Sequence, residues 1–565
     1  MSILAYMPLL LASALQQGEP AETRTSGRPA PPEQSCYDVR FYHLQVRVDP
    51  ERKAIDGVLE MRAELLQETQ AVTLDLDDAL KVDQVMLATV DAEESAIGVA
   101  PHQHAEGELK IDVGAFLDEH GIGGGDELSV SVFYGGVPHV ARRPPWEGGF
   151  QWERTPSGAH WIATSNQMQG ADLWWPCKDQ PDDEPDSMRI EVTVPEGLYC
   201  ASNGSLAGVL TEDGWSTFDW RVSTPINAYG VALNIAPYEI ISREYESTVG
   251  DVFELTYWCL PENVEQGRRL MEDMQKQMRW FEETYGPYPF RADKWGVVET
   301  PHLGMEHQSI TAYGNEYRGN PWGADQGFDF LLHHEAAHEW WANLVTCRNW
   351  KDFWIHEGFG TYAQSLYTEH LKGPEAYRQR MAEIRRGIRN RAPVAPREPM
   401  STADVYFGAT GGDIYNKGAW ILHTLRWLLG DEKFFLAQRR MAYPDPALEA
   451  TTDGSACRFS DTEEIRAIAE EHGGMELGWF FELYLRQPEL PVLVEERKGT
   501  TLELSWETPN DMPFPMPVEI SVDGERQRVE MKGGRAKLQV GRNAEVVVDP
   551  DAWILRERPR KRRGD

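Results

Sequence analysis

The chain is predicted to be a multidomain α+β protein: a large, mainly antiparallel β domain, an α-rich domain holding a small sheet, and a small β-sandwich. Three observations predict this. Its 565 residues exceed one small domain, and about three or four folding units is the expectation for that length. Apolar residues alternate with a period near two up to about residue 260, take mostly helical spacing from 261 to 487, and alternate again after Pro488. With 41% hydrophobic and 10% aromatic residues, the chain can bury large cores.

Composition also excludes some functions. The formal net charge is −36. Binding nucleic-acid phosphates asks for a basic face, so no nucleic-acid partner is expected. The balance fits a soluble acidic surface that attracts cationic molecules. Cys36, Cys177, Cys200, Cys259, Cys347 and Cys457 form no C-x-x-C pair, which speaks against a cysteine metal site or redox motif. One disulfide or none fits a chain of this size.

In chain order, residues 1–17 (MSILAYMPLLLASALQQ) hold an apolar run followed by small residues. They resemble a secretory signal, although no Lys or Arg precedes the run, and they are too short to span a membrane. The expected location is secreted or periplasmic, with the cytoplasm as the alternative. Residues 18–36 read as a flexible linker. From 37 to 260 the β domain is expected, with alternating runs at 39–48, 56–65 and 127–134 and strand-like runs at 189–194, 228–235 and 253–259. Trp146, Trp152, Trp161, Trp174 and Trp175 are dense enough to be core.

The domain at 261–487 opens with a helix at 262–285, stopped by Gly286-Pro287-Tyr288-Pro289. Strands are expected around 295–312. Helices follow at 327–346, 352–371, 375–390, 413–429, 431–442, 461–472 and 475–486, with Ser460 and Glu463 as a capping box. Residues 488–555 supply six short strands and an Asp523-Gly524 hairpin turn. The tail 556–565 is basic and reads as a solvated end. No internal repeat and no membrane span is seen.

One stretch carries chemistry. His334-Glu335-Ala336-Ala337-His338 is an H-E-x-x-H motif, and Glu357 follows after eighteen intervening residues. On a helix, positions i and i+4 share a face, so both imidazoles can meet one ion. Glu357 from a second helix completes three ligands and leaves a fourth position open, as a catalytic zinc needs. His333 is turned by about 100° around the helix and is not a ligand. Glu335 can act as general base on a zinc-activated water. A Tyr hydroxyl suits the oxyanion, but periodicity does not choose one among 20 tyrosines. A small sheet with these helices is the layout of a thermolysin-like catalytic unit.

Several further stretches match a family in order: Gln167-Met168-Gln169, Trp175-Pro176-Cys177-Lys178-Asp179, Tyr285-Gly286-Pro287-Tyr288-Pro289-Phe290, Gly304-Met305-Glu306, the zinc stretch, and Tyr415-Asn416-Lys417-Gly418-Ala419. Over about residues 37–490 the chain resembles the gluzincin zinc aminopeptidases, which include aminopeptidase N, puromycin-sensitive aminopeptidase and leukotriene-hydrolase-like enzymes. The resemblance implies an N-terminal β saddle, a thermolysin-like domain and a β-sandwich, in a short bacterial-type member with no room for the helical C-terminal domain of many relatives. It implies one zinc ion per chain, held by His334, His338 and Glu357.

It also assigns roles. Glu306 would bind the α-ammonium of the substrate, a charge-assisted contact that a blocked amine loses. Gln169 would face the same amine, as in the leukotriene-hydrolase-like branch, and Gln167 would help by hydrogen bonding. Gly304 and Met305 would contact the peptide main chain, and Tyr415 would stabilise the transition state. Two departures stand out. Leu303 replaces a glycine and His307 an asparagine of the family's usual G-x-M-E-N, and a hydrogen-bonding replacement is expected of His307. The expected activity is zinc-dependent release of N-terminal residues from peptides with a free N-terminus. A thermolysin-like endopeptidase needs no amine-binding pair, and a catalytically silent peptide-binding scaffold would have lost the base or a ligand. Oligomeric state and side-chain preference stay open.

Overall fold

A computed structural model describes residues 26–90, 96–167, 169–321 and 323–557. The signal-like stretch 1–17, the first part of the expected linker and residues 558–565 of the basic tail lie outside them.

The N-terminal domain is built on an eight-stranded sheet. Its order is Ser205–Glu212, Trp215–Val222, Ser187–Pro195, Tyr37–Asp49, Ala54–Leu65, Glu127–Gly136, Leu80–Thr89 and Ile97–Val99. Neighbours are antiparallel except Tyr37–Asp49 and Ser187–Pro195, which run parallel. A four-stranded and a three-stranded sheet pack against it. Alternate residues of the long strands point inward and are buried. Trp174 and Trp175 are fully buried in this core, with Tyr42 edge-on to Trp175 at 5.2 Å.

Three expectations change here. Residues 26–36 are no flexible linker. Ser26 is buried, Trp350 Nε1 donates to its hydroxyl at 3.1 Å, and Pro32–Ser35 is a short helix. Gly27 has a φ of +79° and a Cβ there would overlap the Trp350 ring, so glycine is required. Its composition reads as loop, but its contacts come from residues some 320 positions away. Second, the boundary expected at 260 falls inside a sheet. Glu239–Glu246 and Val252–Cys259 belong with Trp295–Glu299, Ile310–Tyr313 and Gly304–Met305, Leu255 pairing in parallel with Trp295. Alternation identifies a strand and not the sheet it joins. Third, the run 228–235 is strand only at its end, where Asn234–Ala236 begins; Ala228–Gly230 is a tight turn started by the Asn227 side chain.

The α-rich domain surrounds that five-stranded sheet with helices. They lie at Val264–Tyr285, Phe330–Ala337, Trp354–Lys372, Pro374–Gly387, Asp413–Leu429, Asp431–Ala442, Thr462–Gly473 and Gly478–Arg486. The helix expected at 327–346 is shorter, because the chain opens at His338 into a wide turn over Glu339–Leu344. Asp461 replaces the expected Ser460 cap and accepts from Glu464 N at 2.9 Å, while Ser460 belongs to a strand. No helix among the described residues is long and apolar enough to cross a membrane.

Residues after 491 form two three-stranded sheets packed as a sandwich. Asp523 and Gly524, with φ of 51° and 90°, make the hairpin turn between Val518–Val522 and Glu525–Val529. The sandwich is fixed to the helices by Trp553 stacked on His423 at 4.5 Å and by Tyr484 OH donating to Leu555 O at 2.8 Å. All six cysteines are free thiols.

Candidate metal centre and active site

The motif helix is started by Asp329, whose carboxylate accepts from Leu332 N at 3.1 Å. Tyr313 OH donates to the same carboxylate at 2.7 Å, which ties the helix start to the sheet. Four residues apart, His334 and His338 then share a face. His333 points away into a box of Trp280, Phe281, Phe328 and Tyr367, its ring 4.5 Å from Phe281 and 4.6 Å from Tyr367. It is no ligand, as expected.

The second helix, Trp354–Lys372, brings Glu357 in its first turn, where a carboxylate is favoured by the helix dipole. Trp354 Nε1 donates to Thr462 Oγ1 at 2.8 Å and fixes its start. Glu357 Oε2 lies 3.2 Å from His334 Nε2 and 3.6 Å from His338 Nε2, and the two imidazole nitrogens are 3.4 Å apart. Ligands about 2.0–2.1 Å from a tetrahedral zinc are separated by about 3.3–3.4 Å, so the triangle fits the ion. Glu357 Oε2 has no hydrogen-bond partner in the protein. His338 Nδ1 is 2.9 Å from Trp341 O, a hydrogen bond that leaves the Nε2 lone pair for a metal. Burial lowers the pKa of His334 to about 4 and keeps it neutral. Gly360, one turn beyond Glu357, lies against both rings; a Cβ there would be 3.1 Å from His338 Cε1 and 3.3 Å from His334 Cε1.

Glu335 is buried beside this triangle. Burial first, then the charges of Glu306 and Glu357, push its pKa well up. Gly304 makes room for it: a Cβ at 304 would overlap Glu335 Oε1. Gly304→Ala is therefore expected to displace the Glu335 carboxylate, the expected general base. Zinc retention should be unchanged, whereas kcat/KM should fall on the order of 10²-fold, the scale of a 1 Å misplacement. Parallel zinc titration and peptide kinetics check this.

Glu306 is also buried. Gln167 Nε2 donates to its Oε1 at 3.2 Å and Tyr229 OH to the same oxygen at 3.4 Å. Both side-chain donors fall on Oε1, leaving Oε2 for a third. The N-terminal domain holds this loop in place. Asn203 Nδ2 donates to Gln308 O at 2.7 Å, Gly204 N to Ser309 Oγ at 2.9 Å, and buried Lys294 bridges Ser202 O and Ser309 O. Ser309 has a φ of 58°, a strained conformation the clamp sustains.

The two glutamines differ from expectation. Gln167 is the one against Glu306. Gln169 instead accepts from Gly148 N at 2.7 Å and lines a 330 Å³ cavity with Asp75, Asp172 and Asp179. His307 forms no hydrogen bond through either ring nitrogen among the described residues, so it is not the hydrogen-bonding replacement expected. Met305 is buried in the edge strand Gly304–Met305, and Leu303 packs on the core beside it.

Tyr415 is half-buried, its ring 6.1 Å from that of His334 and its side chain close to Glu357 and Tyr406. Its helix can approach so closely because Gly358 and Gly418 meet. A Cβ on Gly418 would lie 2.9 Å from Gly358 Cα. Tyr406, which sequence patterns did not single out, donates to Glu357 Oε1 at 3.1 Å. Its only local signal is the capping box of Ser401 and Asp404 opening the short helix Thr402–Phe407. Tyr229 was equally unmarked, lying in a run read as strand.

Residues 269–441, which span the helices carrying His334, His338 and Glu357 as well as Tyr415, match the peptidase family M1 domain. Over that stretch the chain is similar to the peptidase family M1 domain. Over 481 residues it is 22% identical to aminopeptidase M1 of Arabidopsis thaliana, covering 82% of this chain and 52% of that one. Leukotriene A-4 hydrolase of Xenopus laevis is 25% identical, with 71% and 64% covered. Aminopeptidase N of Streptomyces lividans is 26% identical, with 44% and 30% covered. The chain thus spans about a third to two thirds of the length of these relatives. Among solved structures, a mutant two-domain M1 zinc metallopeptidase bound to L-arginine superposes with a TM-score of 0.64 at 18% identity, covering 82% of this chain and 95% of that one. A mutant M1 zinc metallopeptidase of Deinococcus radiodurans, bound to a Tyr-Ser-Ala substrate, gives 0.63 at 18% identity, with 82% and 96% covered. At that identity the likeness is one of fold. The fold, an N-terminal β domain followed by an α-rich domain and a C-terminal β region, is the one these two-domain structures share.

Proposed function

We propose that this chain is a zinc-dependent aminopeptidase that releases the N-terminal residue of peptides with a free amine, with one zinc ion per chain. The observation that carries the reading is the charge of the site. Glu306, Glu335 and Glu357 are buried together, and no lysine or arginine pairs with any of them among the described residues. Three buried carboxylates are untenable alone. A zinc dication between the helices and one substrate ammonium at Glu306 balance them.

Each group then has a task. His334, His338 and Glu357 would hold the zinc, which when bound acidifies water and polarises the scissile carbonyl. Glu306, oriented by Gln167 and Tyr229, receives the ammonium on its open oxygen and sets the cut one residue from the end. Glu335 takes a proton from the attacking water and returns it to the leaving amine. Tyr415 donates its hydroxyl to the oxyanion as the tetrahedral carbon forms.

The test compares aminoacyl anilides with free and acetylated amines. Acetylation should suppress cleavage, and equal rates would exclude an exopeptidase. The pH profile adds a second check. Burial, with the charge of Glu357, raises the pKa of Glu306 to about 6. Only the ionised carboxylate holds an ammonium, so kcat/KM should fall as pH drops through that value, or lower once a bound cation favours ionisation. In Glu306→Gln the contribution of Glu306 to this acid limb should be lost, leaving the limb set by ionisation of Glu335. The kcat/KM of this variant should be lower by about 10- to 100-fold, the worth of one charge-assisted hydrogen bond.

A further inference from the structure

We propose that Tyr406 is a positioning residue for the metal ligand Glu357, and that its hydroxyl makes this carboxylate a one-oxygen ligand. The inference rests on the zinc reading of the site and goes beyond it. Tyr406 OH donates to Oε1 at 3.1 Å, whereas Oε2, the oxygen facing His334 and His338, has no protein partner. The carboxylate is thus divided, one oxygen held by the protein and the other presented to the ion. Freed of that bond, a carboxylate can turn and offer both oxygens.

The fold places Tyr406 for this task. Its short helix is opened by the Ser401–Asp404 capping box and lies beside the residues that start the ligand helix. Met400 N donates to Asn349 Oδ1 at 3.1 Å, Thr402 N to Ser26 O at 3.3 Å, and the Tyr406 ring is edge-on to Phe353 at 5.4 Å. Phe353 precedes that helix by one residue. Tyr406 is 2% exposed and hydrogen-bonded to the carboxylate, while Tyr415, also close to Glu357, is half-buried and makes no such bond among the described residues. The two hydroxyls therefore divide the work: Tyr406 orients the ligand and Tyr415 meets the reacting group.

The experiment measures zinc affinity of the full chain by competition with a chromophoric chelator, for the wild type, Tyr406→Phe and Tyr415→Phe. Loss of a partner that orients a ligand costs on the order of 10–100-fold in metal affinity. That loss is expected for Tyr406→Phe and not for Tyr415→Phe, with the metal-free melting temperature of each variant read as a folding control. Wild-type retention by Tyr406→Phe overturns the proposal and leaves the zinc reading standing. Failure of the wild type to bind zinc overturns both. X-ray absorption at the zinc edge of the wild type needs no variant. One carboxylate oxygen in the coordination shell supports the assignment, and two oxygens from Glu357 overturn it.

Discussion

Glu335→Gln is expected to lower kcat by about 10²–10⁴-fold, the range for removing a positioned general base, with zinc affinity close to that of the wild type. Glutamine has the shape of the side chain it replaces and fits the space left by Gly304. It does not take a proton from water. The three ligand atoms are untouched, because Glu335 is on the motif helix but outside the triangle formed by His334, His338 and Glu357. The measurement is single-turnover hydrolysis of an aminoacyl anilide by protein whose zinc content has been determined. Near-normal turnover in fully metal-loaded Glu335→Gln would remove Glu335 from the mechanism.

Tyr415→Phe is the second large effect. Removing one oxyanion donor costs about 10²–10³ in kcat, and a comparable fall is expected here with KM nearly constant, since the hydroxyl acts on the reacting carbonyl and not on the ammonium. The ring itself packs beside His334, with centroids 6.1 Å apart, and phenylalanine preserves that contact. The ratio of kcat to KM effects separates this from a fault in substrate binding. A rise in KM at unchanged kcat would assign Tyr415 to binding. Comparison with Glu306→Gln sharpens the distinction, because that variant should lose discrimination against acetylated amines and Tyr415→Phe should keep it.

Much of the molecule was legible in the chain. Helix spacing placed Asp413–Leu429 and Asp431–Ala442 to the residue, since long amphipathic periods are strong signals. The H-E-x-x-H spacing with Glu357 placed the centre, and the rotation of His333 off that face is realised in an aromatic box. The misplaced features share a cause. The strap at Ser26 and Gly27, the sheet membership of Glu239–Cys259, and the choice between Gln167 and Gln169 depend on partners remote in sequence. The end of the motif helix at His338 was missed because Glu339–Leu344 is apolar enough to continue a helix, yet His338 Nδ1 is satisfied by the Trp341 carbonyl that the wide turn supplies.

By itself, then, the sequence determined the order of elements and brought His334, Glu335, His338 and Glu357 forward as candidates, because these follow from spacing along one or two helices. The tertiary structure decided which side chains orient them. Gln167 and Tyr229 reach Glu306 from 139 and 77 residues away, and Tyr406 reaches Glu357 from 49. A hydrogen bond of about 3 Å leaves no periodic trace when its partners meet only through packing, so the residues that aim the site appear only once the chain is folded.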